Sequence, residues 1–236
     1  PEQVADAVVQ SAFRSAGQRC SALRLLCVHE AIADSVLAMV AGAARELRTG
    51  NPADLATDVG PLIDAEAFDT ITRHVARLES EAKDLLPQNG VAQAAANNIP
   101  NLLVPRMFEV SRIGTVGSEI FGPVLQVLRW GPGCAGLETP EAVVQAINAL
   151  GYGLTFGIQT RIDSRAQALA AAAHIGNVYV NRNMIGAVVG LQPFGGEGLS
   201  GTGPKAGGPH YLYRFCAEQT VTINTTAAGG NVALLA

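Results

Sequence analysis

Residues 139–181, TPEAVVQAINALGYGLTFGIQTRIDSRAQALAAAAHIGNVYVN, contain the pattern that decides the fold. The segment opens with a threonine that can cap a helix and a proline suited to the first helical position, Pro140. Further on, residues 155–160 read as a strand, residues 164–174 as a helix and residues 177–181 as a strand. Because strands alternate with helices, we predict an α/β fold, a mostly parallel open sheet with flanking helices.

The same alternation extends through the rest of the chain. Apolar residues recur at helical spacing in three earlier segments, and short apolar runs bounded by turn residues lie between them. Residues 82–100, rich in Ala, Asn and Gln, are interpreted as a surface loop near a strand. Residues 220–224, TVTIN, alternate as a strand that we expect to pair elsewhere. The other predicted helices cover residues 1–16, 32–47 and 68–78, and the other predicted strands residues 22–28, 101–104 and 124–130.

Composition excludes several classes of protein. Of the 236 residues, 48% are apolar and 15% charged, so much of the chain must lie in a core or an interface. A net charge of −4 argues against a nucleic-acid binder, which needs a basic face. No apolar run reaches the roughly 18 to 20 residues of a membrane helix, and no signal segment opens the chain. We therefore expect a cytoplasmic protein without a membrane span.

The four cysteines do not form a disulfide framework or a metal site. Cys20, Cys27, Cys134 and Cys216 show no C-x-x-C spacing and no histidine at metal-ligand spacing, so we predict no metal. Cys20 follows a predicted helix, and Arg19 beside it would favour the reactive thiolate. A lone cysteine is more often a small core residue, which is our interpretation of Cys27. The residues alone leave both interpretations of Cys20 open.

The Gly-rich stretch over residues 186–208 contains one formal nucleotide-binding pattern. Residues 196–201, GEGLSG, match G-x-G-x-x-G, but the fingerprint requires a strand before it and a helix after it. Here QPF precedes the pattern, and Gly203 and Pro204 would break any following helix. We reject the fingerprint and interpret the stretch as loops that approach a ligand or another chain.

Four segments, in order, resemble the motifs of the aldehyde dehydrogenase family. Residues 17–21 (GQRCS) resemble the nucleophile motif, and residues 119–123 (EIFGP) the cofactor-contacting motif. Residues 181–183 (NRN) and 193–196 (PFGG) are similar to the late conserved segment of the family. The resemblance implies the fold of an aldehyde dehydrogenase catalytic domain and makes Cys20 the nucleophile.

Longer stretches resemble one group within that family. Residues 11–24 (SAFRSAGQRCSALR) and 179–208 (YVNRNMIGAVVGLQPFGGEGLSGTGPKAGG) look like the L-glutamate γ-semialdehyde (1-pyrroline-5-carboxylate) dehydrogenase module of bifunctional proline utilization A. The tail over residues 220–231 resembles the end of such proteins. The resemblance implies NAD-dependent oxidation of L-glutamate γ-semialdehyde to L-glutamate in proline catabolism, through a cysteine thiohemiacetal and thioester.

The resemblance also implies roles for individual residues. The Cys20 backbone N–H would be one oxyanion donor, Glu119 would bind the nicotinamide-ribose hydroxyls, and Phe121 would lie near the nicotinamide. The α-carboxylate and aliphatic chain of the substrate would be held by four further residues. These are Ser21, Gly186 and Ala187 as the carboxylate anchor, and Phe194 against the chain.

The expected organisation has two parts. Residues 1–215 would form the catalytic domain, and residues 216–236 a C-terminal strand and tail for oligomerisation or interdomain pairing. The nucleotide-binding half, the oxyanion asparagine and the hydrolytic base are expected upstream of Pro1, so we expect the isolated segment to be inactive. We also expect the protein to be a homo-oligomer. The choice between NAD and NADP as cofactor stays open. FAD is expected only if a proline dehydrogenase domain lies upstream.

Three alternative functions differ in the roles that they give to Cys20 and to the loop at residues 186–190. The protein could oxidise another small aldehyde, act as an acylating dehydrogenase or thiol hydrolase, or serve as a non-catalytic assembly fragment. A reactive Cys20 argues against the last, because a scaffold does not need a reactive thiol. The loop at residues 186–190 resembles a carboxylate site and so argues against a thiol enzyme of the other classes.

Overall fold

The computed structural model describes residues 1–87, 99–115, 118–188, 190–201 and 203–224. These residues form an α/β structure in which helices cover a mostly parallel sheet, as predicted. The helices are α1 (Glu2–Phe13), α2 (Glu30–Arg45), α3 (Ala65–Glu81), α4 (Pro140–Asn148) and α5 (Asp163–Ala172), with 3-10 turns at Arg14–Gly17, Ile113–Thr115 and Tyr211–Phe215. The strands are β1 (Leu25–His29), β2 (Lys83–Asp84), β3 (Arg106–Glu109), β4 (Val124–Trp130), β5 (Tyr152–Gly153), β6 (Thr155–Ile158), β7 (Asn177–Val180) and β8 (Glu197–Gly198).

The topology of the four-stranded sheet positions the candidate site. Its order is β1-β4-β3-β2, with β4 parallel to both β1 and β3, and β2 antiparallel to β3. Leu25 at the start of β1 pairs with Gln126 near the start of β4. Parallel strands begin at the same edge of a sheet, so the loops that precede β1 and β4 meet there. Those loops carry Cys20 and Glu119. The strand pairs β6-β7, parallel, and β5-β8, antiparallel, lie outside this sheet.

The core lies between this sheet and the first three helices. Phe13, Phe108, Leu78, Met107 and Leu125 are among the largest fully buried side chains. The first five residues of β4 are all buried, which is why the strand reads as a nearly continuous apolar run. The bounds of β4 match the predicted strand.

Helix caps agree with the sequence where a capping side chain is present. The Thr139 hydroxyl accepts a hydrogen bond of 3.2 Å from the backbone N–H of Ala142, and Pro140 is the first residue of α4. Asp64 likewise caps α3, accepting a bond of 2.8 Å from the N–H of Ala67. Both helices therefore begin where a side chain replaces the missing backbone acceptor.

Two predicted strands differ from the structure. The strand predicted over residues 101–104 is wrong, and the chain instead pairs with β4 from Arg106 onward. Asn101 has a left-handed backbone (φ 59), which breaks extended structure, and the apolar residues 102 and 104 pack as a small separate cluster. β3 was not predicted because Arg106 and Glu109, at its two ends, leave too short an apolar run to indicate a strand.

The C-terminal segment over residues 220–224 is not a strand in this structure. Its residues are exposed, including Val221 and Ile223, and the described residues offer it no strand partner. A strand requires hydrogen-bonded neighbours, so alternation alone does not form one. Pairing elsewhere stays a prediction. Of the predicted loop over residues 82–100, residues 83–84 form β2, and residues 88–98 lie outside the described part.

No helix in the described part of the chain is long and apolar enough to cross a membrane. Among the same residues, no group of three or more His, Cys, Asp or Glu side chains is placed to hold a metal ion.

Buried His74 on α3 should make the stability of the fold depend on pH. The residue is 8% exposed, and burial, aided by the charge of Arg77, lowers its pKa to about 4. In the unfolded chain the histidine pKa is ~6.5, so the unfolded state binds this proton more tightly than the folded state. The free energy of unfolding therefore falls as the pH drops from ~6.5 towards the folded pKa of about 4. We expect a loss of about 3 kcal/mol at most.

Urea unfolding at about pH 7.5 and about pH 4.5 measures this loss. The His74→Gln protein keeps a polar side chain of similar size without a titrating ring, and should show a smaller decrease. Equal decreases for the two proteins would contradict the assignment to His74.

Candidate active site

The loop that carries Cys20 is shaped by three successive left-handed residues. Ser15, Ala16 and Gly17 have φ values of 56°, 54° and 65°, which turn the chain sharply at the end of α1. A Cβ atom at Gly17 would collide with the backbone carbonyl of Gly122, so only glycine permits this contact. The turn leaves Cys20 exposed at the edge of the sheet and presses its loop against the segment over residues 119–122.

The other cysteines are less suited to nucleophilic chemistry. Cys27 packs against the core from β1, as predicted, and burial raises its pKa to about 12. Burial also raises the pKa of Cys134, and the nearby carboxylate of Glu30 adds to the effect. Cys216 is exposed in the C-terminal segment. Among the four thiols, Cys20 combines exposure with a position beside a predicted cofactor motif.

Arg24 connects the two loops, although it was not among the residues predicted from the sequence. Its Nη1 donates to the carbonyl oxygens of Gly17 (2.6 Å) and Gly122 (3.2 Å), and its Nη2 to that of Arg19 (3.3 Å). The side chain is 15% exposed. The available signal was a charged residue at the start of a buried apolar strand, in the run ALRLL, where burial demands partners.

The predicted cofactor residues lie on the other side of the same guanidinium. Nε of Arg24 contacts Oε1 of Glu119 at 3.4 Å, and Cζ lies 4.8 Å from the ring centroid of Phe121. Burial lowers the pKa of Arg24, while the charges of Glu119 and Cys20 oppose this shift. The structure thus brings Glu119, Phe121 and the peptide that precedes Cys20 together around Arg24.

Cys20, Glu119 and Phe121 line one groove of about 610 Å³. Its walls come mainly from apolar side chains of β1, α4 and β6, with Met184 from the segment that follows β7. A smaller groove of about 320 Å³ runs from Glu119 and Phe121 to the first turn of α3. The two predicted cofactor residues therefore line both grooves, and the exposed thiol lines the larger one.

Ser11, buried in α1, connects the segment after Cys20 to the segment over residues 181–188, which follows β7. Its backbone oxygen accepts a bond of 2.9 Å from the N–H of Leu23, and its hydroxyl accepts one of 3.1 Å from the N–H of Met184. Beside it, Nδ2 of Asn183 donates to Oε1 of Gln10 at 3.2 Å. These bonds hold the segments that contain Ser21 and Gly186 near a common point on α1.

The predicted substrate residues are less completely assembled than the cofactor residues. Ser21 is 6% exposed, Gly186 has a left-handed backbone (φ 73), and Ala187 is half-buried. Phe194 is half-buried and pairs through its backbone with Ala206. None of Ser21, Gly186, Ala187 and Phe194 lines the groove that contains Cys20, so their substrate roles stay predictions.

Tyr179 is a second residue near the site that was not predicted from the sequence. It is 7% exposed, its hydroxyl has no hydrogen-bond partner among the described residues, and Arg182 lies over its ring at 4.9 Å. Burial raises the pKa of Tyr179, and the nearby thiol of Cys20 adds to the shift. Tyr179 is therefore a buried hydroxyl on β7 whose ring lies under Arg182.

Comparison with known families matches the chain to one of them. Residues 1–221 match the sequence model of the aldehyde dehydrogenase family. The chain is 50% identical over 220 residues to the bifunctional protein PutA of Escherichia coli (strain K12). The matched region covers 92% of this chain and 16% of that protein. It is 37% identical over 221 residues to the 1-pyrroline-5-carboxylate dehydrogenase of Bacillus cereus (strain B4264), covering 94% and 41%.

Solved structures show the same likeness. A mutant of proline utilization A (PutA) from Bradyrhizobium japonicum superimposes with a TM-score of 0.85 at 55% identity, over 96% of this chain and 22% of that one. A 1-pyrroline-5-carboxylate dehydrogenase gives a TM-score of 0.76 at 31% identity, over 91% and 39%. The chain thus spans well under half the length of each of these relatives.

Proposed function

The chain belongs to the aldehyde dehydrogenase family, and from this membership we propose that the protein carrying it oxidises L-glutamate γ-semialdehyde to L-glutamate with NAD. One observation carries the proposal: an exposed thiol, Cys20, lines the same groove as Glu119 and Phe121, and Arg24 contacts the loops that carry all three. The similarity to PutA and to 1-pyrroline-5-carboxylate dehydrogenases supports this choice of substrate. NADH formation on addition of glutamate semialdehyde, compared with other aldehydes, tests it directly.

Cys20 is the residue that would form the covalent intermediates. Its thiolate attacks the aldehyde carbon, and the resulting oxyanion accepts a hydrogen bond from the Cys20 backbone N–H. The chemistry that NAD supplies when bound is acceptance of the hydride from that carbon. The carbon is then a thioester on Sγ, and water displaces the sulfur to give the carboxylate and free Cys20.

The residues around Arg24 fit a nicotinamide cofactor. Arg24 contacts Oε1 of Glu119, and the carboxylate is 40% exposed, so Oε2 is available to accept hydrogen bonds from ribose hydroxyls. Phe121 is 43% exposed, and its ring offers an apolar surface beside that carboxylate. We assign ribose binding to Glu119 and nicotinamide contact to Phe121.

The proposed substrate anchor combines Ser21, next to Cys20, with the segment over residues 181–188. Ser21, Gly186 and Ala187 would hold the α-carboxylate, and Phe194 would pack against the aliphatic chain. A hydroxyl and the backbone N–H groups of a glycine-containing loop can bind an anion, and Ser11 holds the two segments near each other. The nucleotide-binding half and the hydrolytic base would come from outside these residues, and we propose a homo-oligomer.

Glu119→Ala should impair use of the cofactor. It removes charge-assisted hydrogen bonds to ribose, so we expect kcat/KM for NAD to fall by roughly tenfold to a hundredfold. The measurement is initial velocity against NAD at saturating aldehyde. Glu109→Ala is the matched control, because Glu109 also pairs with an arginine, Arg129, but on the far half of the sheet. Equal kinetics for the two variants would contradict the ribose role.

A further inference from the structure

Arg24 makes contacts that none of the assigned roles explains. It donates to three backbone carbonyls and one carboxylate, and these belong to both the nucleophile loop and the cofactor motif. We propose that Arg24 is a positioning residue that orients the Cys20 amide and aligns it with the Glu119–Phe121 segment. The inference rests on the proposed function, because it assumes that these two loops act together on one substrate.

The contact with Arg19 bears directly on the oxyanion donor. The Arg19 carbonyl and the Cys20 N–H belong to the same peptide group, which is planar and trans, so the two bonds point in opposite directions. Nη2 of Arg24 holds this carbonyl at 3.3 Å, and the N–H of Ala22 holds it at 3.1 Å. Fixing the carbonyl therefore fixes the direction in which the Cys20 N–H points.

The remaining contacts fix the cofactor motif relative to that peptide. Nη1 lies between the carbonyl oxygens of Gly17 and Gly122, where the two loops touch. Nε contacts Glu119 and the guanidinium plane lies near Phe121. A planar group with five donors can make all these contacts at once, whereas a lysine ammonium has three donors on one atom and cannot.

Two variants separate positioning from charge. Arg24→Lys keeps the positive charge near Cys20 but loses the fork of donors, and Arg24→Met removes both. Arg129→Met is the matched control, because Arg129 is also partly buried and pairs with two carboxylates, Asp34 and Glu109, away from the site. All variants are made in the protein that carries this chain.

Three readouts are compared: alkylation of Cys20 by iodoacetamide, hydrolysis of p-nitrophenyl acetate, and NADH formation with glutamate semialdehyde. Alkylation needs no oxyanion donor, so in Arg24→Lys it should change less than about threefold. Ester hydrolysis needs the oriented amide and should fall roughly tenfold, and dehydrogenase kcat, which needs both loops, roughly a hundredfold. KM for the aldehyde should change little.

The proposal would be overturned if the Arg24→Lys protein kept wild-type ester hydrolysis and wild-type kcat. It would also be overturned if Arg24→Lys lost no more of these two activities than Arg129→Met does. If Arg24→Met does not fold, Arg24→Lys decides alone. A wild-type protein that hydrolyses the ester but does not oxidise glutamate semialdehyde would refute the proposed substrate and leave ester hydrolysis as the test of Arg24.

Discussion

Replacing Cys20 by alanine is expected to abolish dehydrogenase activity, by more than about 10⁴-fold, because the other described groups of the site cannot form the thioester. Cys27 is the nearest other thiol in sequence, and burial holds it protonated with a pKa of about 12. Since Cys20 is exposed, the substitution should change the free energy of unfolding by less than about 0.5 kcal/mol. NADH formation and urea unfolding of the same preparation measure both quantities.

Cys216→Ala is the matched control, because Cys216 is also exposed but lies outside the proposed site. It should retain full activity and the same sensitivity to iodoacetamide, whereas Cys20→Ala leaves no activity to inhibit. Peptide mapping should find Cys20 alkylated before Cys27. A Cys20→Ala protein with substantial activity, or inactivation that follows alkylation of Cys216, would rule out the nucleophile.

Ala187→Leu should discriminate between substrates, because it should lower kcat/KM for glutamate semialdehyde far more than for a simple aliphatic aldehyde. Glutamate semialdehyde carries an α-carboxylate that the loop at Gly186 and Ala187 is proposed to bind through backbone N–H groups. A leucine side chain would cover these amides, and losing two or three bonds to a charged group should lower kcat/KM by more than about a hundredfold. A short aliphatic aldehyde lacks the carboxylate, so its kcat/KM should fall less than about tenfold.

Val188→Leu provides the control for added bulk in the same loop. Val188 is 48% exposed and next in sequence, so one more methylene there should affect the two aldehydes equally and weakly. An equal loss for both aldehydes in Ala187→Leu would mean that the loop serves packing alone. The carboxylate anchor would then have to be sought elsewhere.

The elements that could be predicted from sequence are those whose signal is local. β4 is buried along most of its length and so reads as an apolar run, and α4 begins at a threonine cap followed by Pro140. The strand predicted over residues 101–104 was placed before the actual β3, because Arg106 and Glu109 interrupt the apolar pattern of β3. β2, β5 and β8 have two residues each, which is too short for any periodicity.

The site was predictable only where its residues fall in recognisable motifs. Cys20, Glu119 and Phe121 lie in two such motifs, and the structure places them together. Arg24 was missed because its partners Glu119 and Gly122 lie 95 and 98 positions away, a separation that no sequence window spans. The left-handed backbone of Ser15 and Ala16 has no signature either, because both residue types are ordinary helix or loop residues.

The site can form only after β1 has paired with β4, because the loops that carry Cys20 and Glu119 precede these two strands. Leu25 pairs with Gln126, so the strands that carry the two loops come from segments about a hundred positions apart, and such long-range contacts form slowly. A slip of one position would exchange the two buried faces of β4, misplace their side chains and separate Arg24 from Gly122 at the same time. During refolding, recovery of ester hydrolysis at Cys20 should therefore follow β1–β4 pairing and lag behind formation of the local helices.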